Sequence, residues 1–392
     1  MYFYKYQSVS PLSLMMLKRG EVYFASASEL NDRHECRARY LFNAPKDVWV
    51  RFVDYVLCKV CSEYPLYRSI QDAYKLIKLA EPIFEAGRSR IKKRNLTIYD
   101  AVLLFKYGFD NALGEEFSPD ERKKIKQCTE RYLLALSENE LLENKHICSF
   151  SKNAINPTMW GHYGAAETGF VIIYESSDGF VDVESSLSNL SGYREKEEGW
   201  TEIGSYANER LLLQDVNYCN RPCKVNAFEK LIHKFRYSER EDHYDVPESL
   251  LGVIDRMEEN KVGLVKYTDW KYEKEVRLLF PADEEIPSEH RCLQVNSRHI
   301  KGVIFGSKTS DSSKERVLMA CAHLLELTKG NPSLAVFQAL DSHESYSYRV
   351  SPIGIVSTFF SSKYLPLQEY KYLNSDQKEY LDKLSKSILE QR

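Results

Sequence analysis

The sequence has no apolar run near the ~20 residues that span a bilayer. Its opening, MYFYKYQSVS, alternates apolar with polar residues where a secretory signal needs a continuous apolar block. Both absences point to a cytoplasmic protein with no membrane partner. Neither charge sign dominates: 54 Lys and Arg stand against 57 Asp and Glu, a net charge of −3. No global field therefore draws the chain to nucleic acid or an anionic membrane. The nine cysteines are scattered without regular spacing, which reads as reduced thiols; neither a disulfide frame nor a metal is expected. There is no GxGxxG after a strand, no GxxxxGK(S/T), no HExxH and no GxSxG, so the sites those motifs build are not expected. Internal repeats and low-complexity tracts are missing too.

What the chain does have is enough length, 392 residues, to bury a core without staples. Tyr2–Tyr6 alternates as a strand, Ser10-Pro11 opens a short helix capped by Gly20, and Glu21–Ala25 is a second strand. From Lys46 to Leu142 apolar residues recur at three-to-four spacing, which predicts helices, one of them opening at Ser118-Pro119-Asp120-Glu121. Strand patterns return at Ile147, Phe170–Tyr174, Val262–Tyr267, Glu275–Phe280 and Lys301–Phe305. Gly192–Gly204 carries no period and reads as a loop or insertion, Ser249–Met257 reads as a helix, and the tail from Gln368 as a polar, weakly amphipathic helix. The fold class is α+β, with a split mixed or antiparallel sheet in residues 1–45 and 143–350. Residues 46–142 form a helical insertion and 351–392 a helical tail.

The stretch HICSFSKNAINPTMWGHYGAAETGFVIIYE, 146–175, is the densest in chemistry. Hydroxyls, an indole, an imidazole and a phenol lie between two strands, as in the floor of a pocket for a flat polar ligand. Four motifs stand in order: Tyr4-Lys5-Tyr6; VYFASASELND with Glu35; CSFS with MWGHYG; and Trp270-x-Tyr272-Glu273-x-Glu275-x-Arg277. Together they resemble a bacterial family of unknown function with a YKY start, an NDPFE loop, a CFS…MWxHY core and a WxYExExR strand. Arg33-His34 stand where that family has Pro and an aromatic. The layout is similar to that of mono-ADP-ribosyltransferases, whose split sheet grips NAD. The resemblance implies a defence or toxin effector that transfers ADP-ribose or cleaves NAD, with NAD as cofactor and a protein or nucleic acid as acceptor.

On that reading Glu275 stabilises an oxocarbenium-like state and Glu273 orients the acceptor. Strand alternation would set both carboxylates on one face about 7 Å apart, with Arg277 on the same face holding phosphate. The alternative is a solvated strand face in which Lys271, Lys274 and Arg277 pair with the acids. Tyr4, Lys5, Ser149, Ser151, Trp160 and Tyr163 would shape the nicotinamide–ribose pocket, and His162 would serve as a general base. Asn31, Asp32 and Glu35 would bind substrate from a loop. A metal-dependent nuclease or phosphodiesterase gathering Asp32, Glu35, Glu273 and Glu275 around a cation is a second reading. A non-catalytic sensor module is a third. The basic run Arg88–Arg94 would touch RNA or DNA phosphates, or else sit as solvated charge at a helix end.

Overall fold

The computed structural model describes residues 1–32, 34–36, 38–63, 70–139, 141, 145–185, 193–196, 199–202, 209–235, 262–280, 286–327, 333–342, 345–357 and 366–390. The fold is α+β, in two compact units. One unit takes Met1–Cys36, Asn144–Arg221 and Gly263–Arg392; the other takes Arg37–Glu143 and Pro222–Val262.

The first unit is built on a large mixed sheet. Its path runs Gln214–Asp215, the acid strand Glu275–Leu279, the serine strand His146–Ser151, the opening strand Tyr2–Gln7 and Phe170–Glu175. It continues through Ile300–Phe305, Ser333–Asp341, Tyr348–Ser357 and Leu367–Glu369. Ile300–Phe305 and Ser333–Asp341 pair in parallel; the other neighbours along this path are antiparallel.

The central strand Phe170–Glu175 is apolar through Ile173 and buried through Tyr174, because both sheet faces are covered there. Phe3, Phe170, Ile172 and Val303 pack with Leu17 of the helix Pro11–Arg19, Leu324 of the helix Asp311–Leu327, and Val183 of a smaller four-stranded sheet. Tyr4, Tyr6, Val171, Ile173 and Ile304 pack on the other face with Trp160 of the helix Pro157–His162 and with Leu381 and Leu384 of the helix Ser375–Glu390. Truncating one of these, Ile173→Ala, removes a fully buried side chain and costs about 2–5 kcal/mol. Gly20 ends the first helix at φ 67, a left-handed conformation that suits glycine.

The sheet breaks along one edge of the serine strand. The other edge pairs continuously with the acid strand, from Glu275↔Ser151 to Leu279↔Ile147. The interrupted edge meets the opening strand at one register pair, Tyr4↔Ser151, and the short strand Ala25–Ser26 at Ile147 and His146. Between those contacts Lys5 Nζ donates to the Ser149 carbonyl at 3.0 Å, doing with a side chain what a neighbouring strand would do with its backbone.

The second unit is mainly helical: Lys46–Glu63, Ile70–Ile77, Ala80–Arg90, Ile98–Ala112, Pro119–Asn139 and Ala227–Phe235. Its core gathers Phe42, Trp49, Phe52, Phe84, Phe105, Phe109 and Phe228. Ser118 and Glu121 exchange side-chain-to-backbone bonds at a helix start, as the Ser-Pro-Asp-Glu spacing implies.

Three local readings change. The region read as a loop, Gly192–Gly204, contains the paired strands Tyr193–Lys196 and Gly199–Glu202; its charged composition conceals a short hairpin. The tail is not wholly helical: Tyr348–Ser357 runs on as a strand and Leu367–Glu369 adds another. Its helix buries Leu381, Leu384 and Ile388, the narrow apolar stripe of a weakly amphipathic helix. The helix expected at Ser249–Met257 lies outside the described residues. No described helix is long and apolar enough to cross a membrane.

Candidate functional site

The break in the sheet is where the chemistry collects. Residues opposite one another in antiparallel strands share a face. The pairs Glu275↔Ser151, Arg277↔Ser149 and Tyr4↔Ser151 therefore put Tyr4, Ser149, Ser151, Glu275 and Arg277 on one side of the sheet. Phe150, Cys148, Val276 and Leu278 take the other side and join the apolar core. A cavity of about 700 Å³ opens beside the break. Its polar wall holds Lys5, Glu35, Tyr163, Lys266, Glu273, Glu275 and Arg277, and its apolar wall Leu12, Met16, Tyr6 and Met159.

Glu273 arrives differently from the way alternation suggests. It closes a 3-10 turn, Thr268–Glu273, and the acid strand begins only at Glu275. Lys274 between them is left-handed at φ 45. That reversal sends Glu273 back toward the same cation as Glu275. Ser151 holds the turn, since its Oγ donates to the Glu273 carbonyl at 2.6 Å and accepts from Asn153 N–H at 3.0 Å.

Three carboxylates and two cations then form a closed network. Lys266 Nζ lies 2.5 Å from Glu273 Oε2, 2.9 Å from Glu35 Oε1 and 3.2 Å from Glu275 Oε2. Arg277 donates from Nε to Glu275 Oε1 and from Nη2 to Glu275 Oε2, both at 2.9 Å, from Nη1 to the Gly263 carbonyl at 2.5 Å, and again from Nη2 to Glu35. Glu35, Lys266, Glu273, Glu275 and Arg277 are all buried. Tyr163 Oη donates to Glu273 Oε1 at 2.6 Å and accepts from Asn31 Nδ2 at 3.3 Å. The indole of Trp270 lies 4.9 Å from Lys266 Nζ, a further favourable contact for that cation.

The two neighbouring acids are pushed in opposite directions. Burial raises the Glu275 carboxyl, but the charges of Arg277 and Lys266 outweigh it and hold it at about 2. Burial raises Glu273 as well, and there Lys266 and Tyr163 do not overcome it, so it sits above its ordinary value. Burial disfavours the Lys266 ammonium, yet the charges of Glu275, Glu35 and Glu273 keep it protonated, well above the usual lysine range. Burial and the bond to Glu273 push the Tyr163 phenol up, so it remains a donor. A fixed carboxylate beside one that gains a proton more readily is the arrangement in which acid–base roles separate.

The residues singled out from the sequence divide. Tyr4, Lys5, Asn31, Glu35, Ser149, Ser151, Tyr163, Glu273, Glu275 and Arg277 all line the cavity. Trp160 is fully buried in the apolar core and donates its indole N–H to Ala154; it does not line the cavity. His162 is exposed, with Nδ1 3.2 Å from Tyr272 Oη, and also lies outside the lining. Asp32 is buried and accepts from His34 N–H at 2.8 Å, shaping its own turn. Arg277 has no exposed surface, and Glu275, Glu35 and a carbonyl occupy its guanidinium, so a phosphate would have to displace a carboxylate to reach it.

Lys266 is the residue that sequence reasoning missed. Its signal was a lone cation in the apolar run Val262-Gly-Leu-Val-Lys-Tyr, where only a buried partner would justify it. A Cys-x-x-Cys pair also hides among the scattered thiols, Cys58 and Cys61 on one helix; burial pushes Cys61 up to about 11, the direction opposite to thiol activation. Where a metal reading would set a divalent cation, among Glu35, Glu273 and Glu275, the Lys266 ammonium sits. No group of three His, Cys, Asp or Glu among the described residues is placed to hold a metal.

No curated protein and no solved structure matches the chain. Residues 159–278, which include Tyr163, Lys266, Glu273, Glu275 and Arg277, match the model of a family described as a protein of unknown function, DUF2971.

Proposed function

We propose that the cavity beside the sheet break binds a nicotinamide nucleotide and that the site transfers or hydrolyses its ADP-ribosyl group. The observation that carries this reading is the pair of buried acids on its wall, Glu275 held at about 2 and Glu273 raised. In such a reaction the bond between the nicotinamide nitrogen and ribose C1′ breaks, and nicotinamide leaves neutral with the electron pair. Positive charge builds at C1′ as an acceptor oxygen approaches. Glu275, ionised throughout and fixed by Arg277 and Ser149, faces that charge. Glu273 takes the acceptor's proton, which its raised affinity favours, and Tyr163 orients it. Lys5, bonded to the Ser149 carbonyl and Cys148 Sγ, contacts phosphate in place of Arg277.

The cavity volume and its joint polar and apolar walls suit a ligand with a flat ring and a polyhydroxyl sugar. The test is nicotinamide release from NAD by the purified chain. Wild type is expected to release it, with or without a chelator. Glu275→Gln and Glu273→Gln are each expected to fall by roughly 10²–10⁴-fold while folded, as near-ultraviolet circular dichroism would show. Release that survives both substitutions would sink the assignment.

A further inference from the structure

The second unit carries a charged surface with a different design. From the last turn of the helix Ala80–Arg90 into its connection to the helix Ile98–Ala112, five of the seven residues from Arg88 to Arg94 are basic. Two have structural duties. Arg88 Nη1 donates to the Ile91 carbonyl at 2.5 Å, and Lys93 Nζ lies 2.7 Å from Asp100 Oδ1. Arg90, Lys92 and Arg94 are exposed and have no carboxylate partner among the described residues. A helix end complemented by Arg88 needs no further cations.

The frame around them is closely packed. The two helices lie antiparallel at backbone contact: a Cβ on Gly87 would stand 2.1 Å from the Leu104 carbonyl oxygen, and one on Gly108 2.3 Å from that of Ile83. The connector is fixed by the Phe42↔Leu96 bridge and by the Thr97–Asp100 capping box. Just inside the second helix Tyr99 is 72 % exposed. Its neighbour in the chain, Asp100, is the partner of Lys93. Arg90 lies 5.4 Å from the Tyr107 ring on the same helix pair. An exposed ring five residues from Arg94, next in the chain to the partner of Lys93, together with three cations without carboxylates among the described residues, suits a partner that offers both phosphates and open π-faces. A duplex keeps its bases stacked and offers Tyr99 no open face, whereas a single strand presents bases and phosphates together.

We propose that Arg90, Lys92, Arg94 and Tyr99 form a binding face for single-stranded nucleic acid, the cations meeting phosphates and Tyr99 stacking on a base. The test uses the full chain, a fluorescently labelled single-stranded RNA or DNA oligonucleotide, and heparin as a polyanion without bases. Three phosphate contacts give an expected slope of about −2 in log affinity against log salt. The triple change Arg90→Glu, Lys92→Glu, Arg94→Glu is expected to weaken oligonucleotide binding at least ~10-fold. Tyr99→Ala should weaken it ~5–10-fold and leave heparin binding unchanged. The proposal is overturned if wild type does not bind, if the triple variant binds as wild type does, or if Tyr99→Ala leaves oligonucleotide affinity intact. The last result would mark a surface for polyanions of any kind.

Discussion

Two stretches of similar charge density end in opposite environments. DWKYEKEVR, 269–277, supplies Glu273, Glu275 and Arg277 to a buried network in which each charge meets its opposite. RSRIKKR, 88–94, leaves three exposed cations without a carboxylate partner among the described residues. Charge density along a chain therefore does not decide whether charges are buried. The partners decide, and in the first stretch Lys266 and Glu35 come from elsewhere in the sequence. A paired, buried cluster resists change because removing one member strands the others. An exposed one tolerates change and retains free donors.

The sharpest way to break this contrast is Arg277→Met. It leaves Glu35 and Glu275 buried with only Lys266 between them, and about 3–5 kcal/mol of unfolding free energy should be lost in a urea titration. A loss below ~1 kcal/mol would mean that water already reaches the network.

Acid comes next. Glu275 binds its proton less readily folded than unfolded, so its contribution is complete above its ordinary value of 4.5 and disappears as pH falls toward about 2. Its size is on the order of 3 kcal/mol, readable as a drop in denaturation midpoint across that window. Glu273, raised on folding, works in the opposite sense: its contribution is complete below 4.5 and is given up as pH rises through its folded value. Tyr163→Phe should cost about 1–2 kcal/mol by removing the 2.6 Å bond to Glu273, and should raise that carboxyl further.

Lys274 tests the geometry. At φ 45 a glycine is welcome, so Lys274→Gly should leave stability within ~0.5 kcal/mol, whereas Lys274→Val should cost about 1–2 kcal/mol and pull Glu273 off Lys266. At the small end, replacing Arg90, Lys92 and Arg94 together by Ala should shift stability by no more than ~0.5 kcal/mol.

Alternation along Glu275-Val-Arg-Leu was enough to put Glu275 and Arg277 on one face, because a strand's period is a local property. It failed at Glu273, because one left-handed residue resets the phase and nothing local demands it. The apolar run Phe170–Tyr174 reads directly as a strand covered on both faces. Trp160 and His162 stand two residues apart in a polar-looking turn, yet one is core and the other exposed; helix packing separated them. The role of Arg277 was out of reach, since the carboxylate that completes its shell lies 242 positions away.

The central claim is that the gap between the opening strand and the serine strand is a ligand site. A crystal structure of the protein soaked with NAD alone tests it most directly. The expected result is NAD ordered in the gap, its nicotinamide ribose beside Glu273 and Glu275 and its phosphates toward Lys5. NAD ordered elsewhere, or no NAD in the cavity at saturating concentration, would contradict it.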